Sequence, residues 1–359
     1  MSYPLDMEGL LKLTVEKDGS DLHLAVGVSP LIRINGELMA QNFPALMSVD
    51  METILYSILE PHQKEHLENE WELDFSYSVD GVARFRGNVM YQQGTLSAVF
   101  RAITHNLPDI ETLGLPAEVK NLCYLSQGLV LVTGPSGSGK STTLAAMIDF
   151  INNNRSVNIV TVEDPIEFLH KHKKSTVRQR EIGTDTHTFN NALRHVLRAD
   201  PDVILIGEMR DLDTISIALT AAETGHLVLS TLHTQTAPLT ISRIADVFHA
   251  DQRDQVKQQL ANSLKGVLSQ QLLPRADISG RVAAIEFMLH SQAIRSLIRE
   301  GKLHQLYSTI QTSYSMGMQT MDQALAKLYS VGLITRRIAE EQCIDRKEIE
   351  RLLDISKTT

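Results

Sequence analysis

The sequence predicts an α/β chain in two parts. A small N-terminal α+β domain covers residues 1–101, a linker covers 102–115, and a larger P-loop core covers 116–359, helical from about residue 240. Three observations carry this. Short alternating apolar runs fill the first third of the chain. From about Leu122, continuous apolar runs alternate with segments of helical period, the pattern of a parallel sheet with helices on its faces. Between one such run and one such helix stands the Gly-rich octapeptide "GPSGSGKS". The length of 359 residues suits two domains at roughly 150 residues each.

In the N-terminal part, "DLHLAV" and "LIRINGEL" read as strands. "VDMETILYSILEPHQKEHLENE" carries Ile54, Leu55, Ile58 and Leu59 at helical spacing. "VARFRGNVMYQQ" and "GTLSAVFRAI" read as strands around Gly94, and "THNLPDIETLGLP" has no period and reads as linker. Next come the apolar run "GLVLVTG" and, after the Gly-rich loop, a helix with Leu144, Met147, Ile148 and Ile151 on one face. "NIVTVED", "DVILIGEM" and "HLVLSTLH" are further buried strands. Helices separate them, one opening on Asp211 as N-cap and stopping at Gly225. Beyond about Thr240, "DQVKQQLANSLKGVLSQQLL" puts Val256, Leu260, Leu264 and Val267 on one side of a predicted helix. "AIRSLIRE", "MQTMDQALAKLYSVGLI" and "RKEIERLL" behave alike. No repeat of 20–50 residues and no low-complexity tract interrupts the chain.

Bulk composition excludes several classes. A chain with 43% apolar residues is not disordered, and a formal net charge of −9 disfavours a sequence-independent nucleic-acid binder. The two cysteines, Cys123 and Cys343, form neither a C-x-x-C zinc pair nor a disulfide scaffold, which points to a reducing compartment. The N-terminus has no basic stretch leading into an apolar core. No apolar run approaches the ~18 residues of a membrane span. The expectation is a cytoplasmic protein that meets a membrane only through another protein.

The octapeptide Gly134-Pro135-Ser136-Gly137-Ser138-Gly139-Lys140-Ser141 matches the phosphate-binding P-loop. Glycines let backbone N–H groups converge on phosphate oxygens, and the helix that follows adds its positive end. Lys140 can reach the outer phosphates, the Ser141 hydroxyl can ligate Mg2+, and Thr142 follows in the first helical turn. Three other predicted strands run into polar groups: "NIVTV" into Glu163-Asp164, "DVILIG" into Glu208 and "HLVLSTL" into His233. Ligands of open α/β sheets bind beyond the carboxyl ends of the strands. Hydrolysis needs a polarised water, a metal and donors for developing charge. Glu163 and Glu208 are the candidates for activating water and supporting Mg2+, with their division of labour open. A usual Walker B strand ends in Asp, whereas this one ends "VILIGEMR" with Gly207 and Glu208. His233 is either a sensor of the terminal phosphate or a strand-end histidine bonded to backbone. Arg84 and Arg86 share one strand face and Arg101 follows nearby. They form either a solvated basic face or a source of an arginine for the nucleotide.

"GPSGSGKSTTLAAMID", "VTVEDPIEF", "LRADPDVILIGEMRD" and "TAAETGHLVLSTLHT" resemble the Walker A, Asp-box, Walker B and His-box motifs of the secretion-superfamily hexameric ATPases. "GRVAAIEFMLHSQAIRSLIREGK", "GMQTMDQAL" and "GSDLHLAVGVSPLIRINGEL" resemble the type IV pilus retraction ATPase family, the PilT family. The resemblance spans roughly Gly19 to Leu333. It implies a PAS-like N-terminal domain, a RecA-like ATPase core and a helical C-terminal region. It implies a homohexamer that uses ATP and Mg2+ and acts on the inner-membrane pilus platform protein, peripheral to that membrane at the pilus base. An accessory retraction ATPase is a possible further partner, and no nucleic acid or direct membrane insertion is expected. Carried over residue by residue, Gly134 to Ser141 are the ATP loop and Glu163 the Asp-box acid. Glu208 is the Walker B acid, His226 and His233 are the His-box histidines, and Arg84, Arg86 and Arg101 are arginines that reach the nucleotide. The family has Asn inside "AIRNLIRE" where this chain has Ser296. Two lone cysteines cannot build the tetracysteine zinc insertion of pilus-assembly and type II secretion ATPases, which favours a retraction-type protein. The alternatives are the retraction accessory paralogue or a related secretion ATPase, a nucleotide-controlled switch, and a RecA-like nucleic-acid translocase. The switch lacks an N-K-x-D guanine loop, and the net acidity counts against the translocase.

Overall fold

A computed structural model of the chain describes residues 5–34, 36–103 and 107–355. The chain divides into two compact units, Met1–Asn106 and Leu107–Thr359. The predicted linker falls partly on residues 104–106, outside the described residues. Its remainder is not free chain: Ile110 and Leu115 are buried in the core of the second unit.

Unit 1 opens with α1 (Met7–Glu16), capped by the Asp6 carboxylate, which accepts from Gly9 N at 2.8 Å. Strands β1 (Asp21–Ala25), β2 (Leu31–Ile34) and β3 (Glu37–Ala40) follow. The helical stretch read over 49–70 is two helices, α2 (Ser48–Tyr56) and α3 (Pro61–Glu70). Pro61 supplies the break, because proline has no N–H to continue a helix but suits its first position. Then come β4 (Glu72–Val79), β5 (Ala83–Gln92) and β6 (Thr95–Ile103). The sheet is wholly antiparallel, in the order β3-β2-β1-β6-β5-β4. Side chains alternate across it, so Leu22, Ile32, Phe85 and Phe100 pack against the helices while their neighbours in sequence face away.

Unit 2 contains α4 (Val119–Cys123), β7 (Gly128–Thr133), α5 (Lys140–Asn154), β8 (Asn158–Glu163), β9 (Thr176–Glu181), α6 (Phe189–Val196) and β10 (Val203–Ile206). It continues through α7 (Leu212–Glu223), β11 (Leu227–Leu232), α8 (Ala237–Asp246), α9 (Arg253–Ser263), β12 (Leu264–Pro274) and β13 (Arg281–Leu289). Five helices close it: α10 (Gln292–Arg299), α11 (Leu306–Thr312), α12 (Met321–Ser330), α13 (Arg336–Gln342) and α14 (Arg346–Ile355). The sheet order is β13-β12-β7-β11-β10-β8-β9, with every pair parallel except β12·β13. Leu129 and Leu131 of β7 face one core with α7, α8 and α9. Val130 and Val132 face a second core with α4 and α5. Both faces are covered, which is why these strands read as unbroken apolar runs. The expected helix boundaries around α7 hold: the Asp211 carboxylate accepts from Thr214 N at 2.9 Å, and Gly225 takes φ +107° just past the end.

The expectation of a helical region from about residue 240 is corrected. The helix predicted over residues 254–273 ends at Ser263. Leu264 and Val267 belong instead to β12, which pairs in parallel with β7 (Leu268 opposite Val132). Gly266 explains the change. It weakens a helix, and its missing Cβ makes room for Leu122 Cδ1, which a Cβ would meet at 2.8 Å. β9 and β4 also escaped the sequence reading. "TVRQRE" and "ELDFSYSV" are polar-rich, and β9 is an edge strand.

Candidate active site

The parallel register brings the strand ends to one edge. Leu232 lies opposite Thr133, Ile206 opposite Ser230, and Val162 opposite Ile206. The chain therefore leaves β7, β8, β10 and β11 on the same side, where a cleft of about 620 Å3 opens. Its lining includes Lys140, Ser141, Thr142, Glu163, Glu208 and His233.

Between β7 and α5 the loop is built on left-handed backbone. Gly134, Gly137 and Gly139 have φ of +140°, +76° and +90°, a region that costs any residue with a Cβ. At Gly134 a Cβ would also stand 2.3 Å from the carbonyl oxygen of Gln270, on β12. No side chain caps the N-terminus of α5. Lys140 is 9% exposed, and its Nζ donates to Gly134 O and Pro135 O, each at 2.9 Å. Burial lowers its pKa, against the opposing pull of Glu208 and Glu167. The Ser138 hydroxyl is buried and finds no partner among the described residues. Ser136, Gly137 and Gly139 line the cleft, whereas Gly134 and Ser138 are buried beneath it and Pro135 is exposed outside its lining. A glycine cradle, a buried lysine, an orphaned hydroxyl and an uncapped helix N-terminus fit a polyphosphate.

Glu163 ends β8, with Oε1 accepting from Thr161 Oγ1 at 2.6 Å and from Gln179 Nε2 at 3.2 Å. Burial pushes its pKa up to about 7, although both hydrogen bonds favour the ionised form. Gly207, at the exit of β10, packs closely against it. A Cβ there would lie 3.3 Å from Glu163 Cα and from Val162 O. This accounts for glycine where a usual Walker B strand has aspartate.

Glu208 is held from two sides. Its Oε1 lies 2.6 Å from Arg210 Nε and 3.1 Å from His233 Nε2. Burial raises its pKa, but the bond and charge of Arg210 and the contact with His233 outweigh that and hold it below the usual carboxylate range. Thr231 Oγ1 donates to Gly207 O at 2.6 Å, tying the two strand ends that carry Glu208 and His233. Beyond His233, the first N–H of α8, on Ala237, donates to Glu286 Oε1 at 2.7 Å. Glu286 lies on β13 with no exposure, and burial pushes its pKa up to about 7.

His226 is a correction. It precedes β11, where its carbonyl accepts from Gly128 N, and its Nδ1 contacts Ala221 O at 3.0 Å. Its place is the entry edge of the sheet, about 20 Å from the exit edge at 3.3 Å per residue over a six-residue strand. A motif spanning a whole strand has one histidine at each end, and spacing alone does not show which end faces the loop.

Arg84, Arg86 and Arg101 lie on β5 and β6 of unit 1. Arg86 faces Arg101 across the ladder, and Arg101 Nε donates to Asp21 Oδ1 at 2.9 Å. Arg210, Gln270, Glu167 and Arg281 were missed in the sequence. Arg210 carried a signal, a charge two residues past a strand-end acid. Gln270 carried none, because it reaches the loop only through the unexpected β12.

The family of type II/IV secretion system proteins matches residues 79–341. PilT of Pseudomonas aeruginosa, a type IV pilus retraction ATPase, is 49% identical over 94% of this chain and 98% of its own. A twitching motility protein of Neisseria gonorrhoeae is 46% identical over 88% of this chain and 84% of its own. A crystal structure of the pilus retraction motor PilT with bound ADP matches at a TM-score of 0.91 and 49% identity, covering 97% of this chain and all of that one. With the loop, the two acids and the histidine on one sheet edge, these likenesses show that the chain belongs to the PilT-type retraction ATPases of the type II/IV secretion system protein family.

Proposed function

We propose that this chain is the ATP-hydrolysing motor of type IV pilus retraction, working as a homohexamer on the inner-membrane platform protein at the pilus base. The single observation that carries the chemistry is the convergence of Lys140, Glu163, Glu208 and His233 on one cleft at the exit edge of the sheet. The P-loop holds the phosphates of ATP. Glu163, with a pKa near the working pH, takes the proton of the attacking water. Glu208 stays ionised, with Arg210 and His233 fixing its orientation. Ser141 and Glu208 are the groups that would hold Mg2+, directly or through water, and they suit a metal that arrives on substrate phosphates. A Mg2+ held there would supply neutralisation of the charge that develops on the phosphate oxygens. An arginine of unit 1, from Arg84, Arg86 and Arg101, adds a cation to the terminal phosphate.

Among the described residues no helix is long and apolar enough to cross a membrane. In this reading the motor sits on the cytoplasmic side and is held to the membrane through its partner. Multiple-turnover hydrolysis by the purified ring, together with restored twitching in a strain lacking its own retraction motor, tests the reading. A single turnover followed by a stall would favour a nucleotide-controlled switch instead.

A further inference from the structure

One register row crosses the sheet of unit 1. Arg33 on β2 faces Asp21 on β1, Asp21 faces Arg101 on β6, and Arg101 faces Arg86 on β5. Residues directly opposite in an antiparallel sheet share a face, and Arg84, two residues from Arg86, shares it too. The other face carries Leu22, Ile32, Phe85 and Phe100, each fully buried. Like charges set directly opposite are destabilising, and Arg86 opposite Arg101 is such a pair.

Asp21 is the one acid in this row. Its side chain is 7% exposed, and both oxygens are engaged. Oδ1 accepts from Arg101 Nε at 2.9 Å. Oδ2 accepts from Ser20 Oγ at 2.7 Å and lies 3.8 Å from Arg33 Nε. Arg101 nevertheless remains 72% exposed. The bond takes Nε alone, and among the described residues nothing holds the terminal nitrogens. A guanidinium fixed at Nε and open at its terminal nitrogens presents a planar fork to an outside anion, the geometry that recognises phosphate bidentately.

We propose that Asp21 is a positioning residue that holds Arg101 by Nε so that its terminal nitrogens meet a nucleotide phosphate during hydrolysis. The inference rests on the reading above, in which a unit 1 arginine reaches the nucleotide.

The test uses the full-length ring with ATP and a double-mutant cycle. Arg101→Ala is expected to lower kcat on the order of 10²-fold or more, below the ceiling for an arginine supplied to phosphoryl transfer. Asp21→Asn is expected to lower kcat about 10-fold, with the KM for ATP and the melting temperature little changed, because the arginine is present but unaimed. Asp21→Glu is expected to recover most of that loss. In the Arg101→Ala background, Asp21→Asn is expected to cost nothing further. If Asp21→Asn keeps wild-type kcat while Arg101→Ala is impaired, the inference fails and the proposed function stands. Equal fractional losses in both backgrounds would assign Asp21 a merely structural role and overturn the inference. Full kcat in Arg101→Ala would overturn the inference and the arginine assignment together. Should Asp21→Asn not assemble, Arg101→Lys keeps the charge without Nε. Loss comparable to Arg101→Ala supports the inference, and wild-type kcat overturns it.

Discussion

A methyl group on Gly207 would stand 3.3 Å from the Cα of Glu163. The end of β10 is therefore pressed against the backbone that carries Glu163, the acid proposed to activate water. Gly207→Ala is expected to displace Glu163 by a few tenths of an ångström and lower kcat about 10-fold, since small misplacements of reacting groups are costly. The KM for ATP should stay within about twofold, because the P-loop is not touched. Steady-state kinetics on the purified protein measure both.

With Glu163 as the proposed base, its raised pKa predicts the pH dependence. As a base it works only when deprotonated, so kcat/KM should rise with pH up to a pKa of about 7 and then level. Glu163→Gln should remove that limb and lower kcat by about 10²–10⁴-fold, the usual range for a lost general base. Rates measured across the neutral range, on both sides of that pKa, decide this.

Glu208 moves the other way. Arg210 and His233 hold its pKa below the usual range, so it is ionised throughout the working pH range. Arg210 is 77% exposed and makes the shorter of the two contacts. Arg210→Ala should let the pKa of Glu208 rise, so the variant loses activity at a higher pH than the wild type when acidified. In mildly alkaline buffer the same variant should lose less than Glu208→Ala, which is expected to abolish turnover.

Lys140 both closes the loop and faces the cleft. Its ammonium donates to two loop carbonyls, Gly134 O and Pro135 O. Lys140→Ala is expected to reduce steady-state turnover by at least about 100-fold, the scale of losing one positioned cationic donor. The protein should remain folded, because no residue of the hydrophobic core is removed. Hydrolysis rate and a thermal melt, taken together, check this.

Glu286 predicts a stability effect. Its folded pKa of about 7 exceeds the ordinary value of 4.5, so the folded state binds the proton more tightly. The stabilisation of the protonated form is complete below the unfolded value and is lost as pH rises through about 7. Glu163 contributes in the same direction. Unfolding midpoints should fall as pH rises from the unfolded value through the folded one. Glu286→Gln should flatten the slope, by on the order of 1 kcal/mol per pKa unit removed. An unchanged slope in the variant would show that Glu286 does not titrate in this window.

Much of the site was legible in the sequence because strand, loop and helix are contiguous there. Glu163, Glu208 and His233 each follow a run apolar enough to mark a strand, and parallel strands send their ends to one edge. What escaped depended on long-range pairing. β12 is a strand because β7 and β13 flank it, yet "LKGVLSQQLL" read by itself keeps a helical spacing of leucines. With β12 unseen, Gln270 behind Gly134 was unseen as well. The place of His226 depended on where β11 begins, and a motif match gives order along the chain, not position along a strand.

The unexpected strand has a mechanical consequence. β12 is hydrogen-bonded to β7, whose end becomes the P-loop, and β13 lies on its far side. Leu273 of β12 and Ala284 of β13 share a small core with Met321, Leu325, Ile334, Ile349 and Leu353 from the C-terminal segments. A pull on those segments is thus borne by two rows of backbone hydrogen bonds loaded in shear, in series with the strand that leads into the P-loop. The C-terminal helices and the nucleotide loop are mounted on one stiff plate, two strands apart.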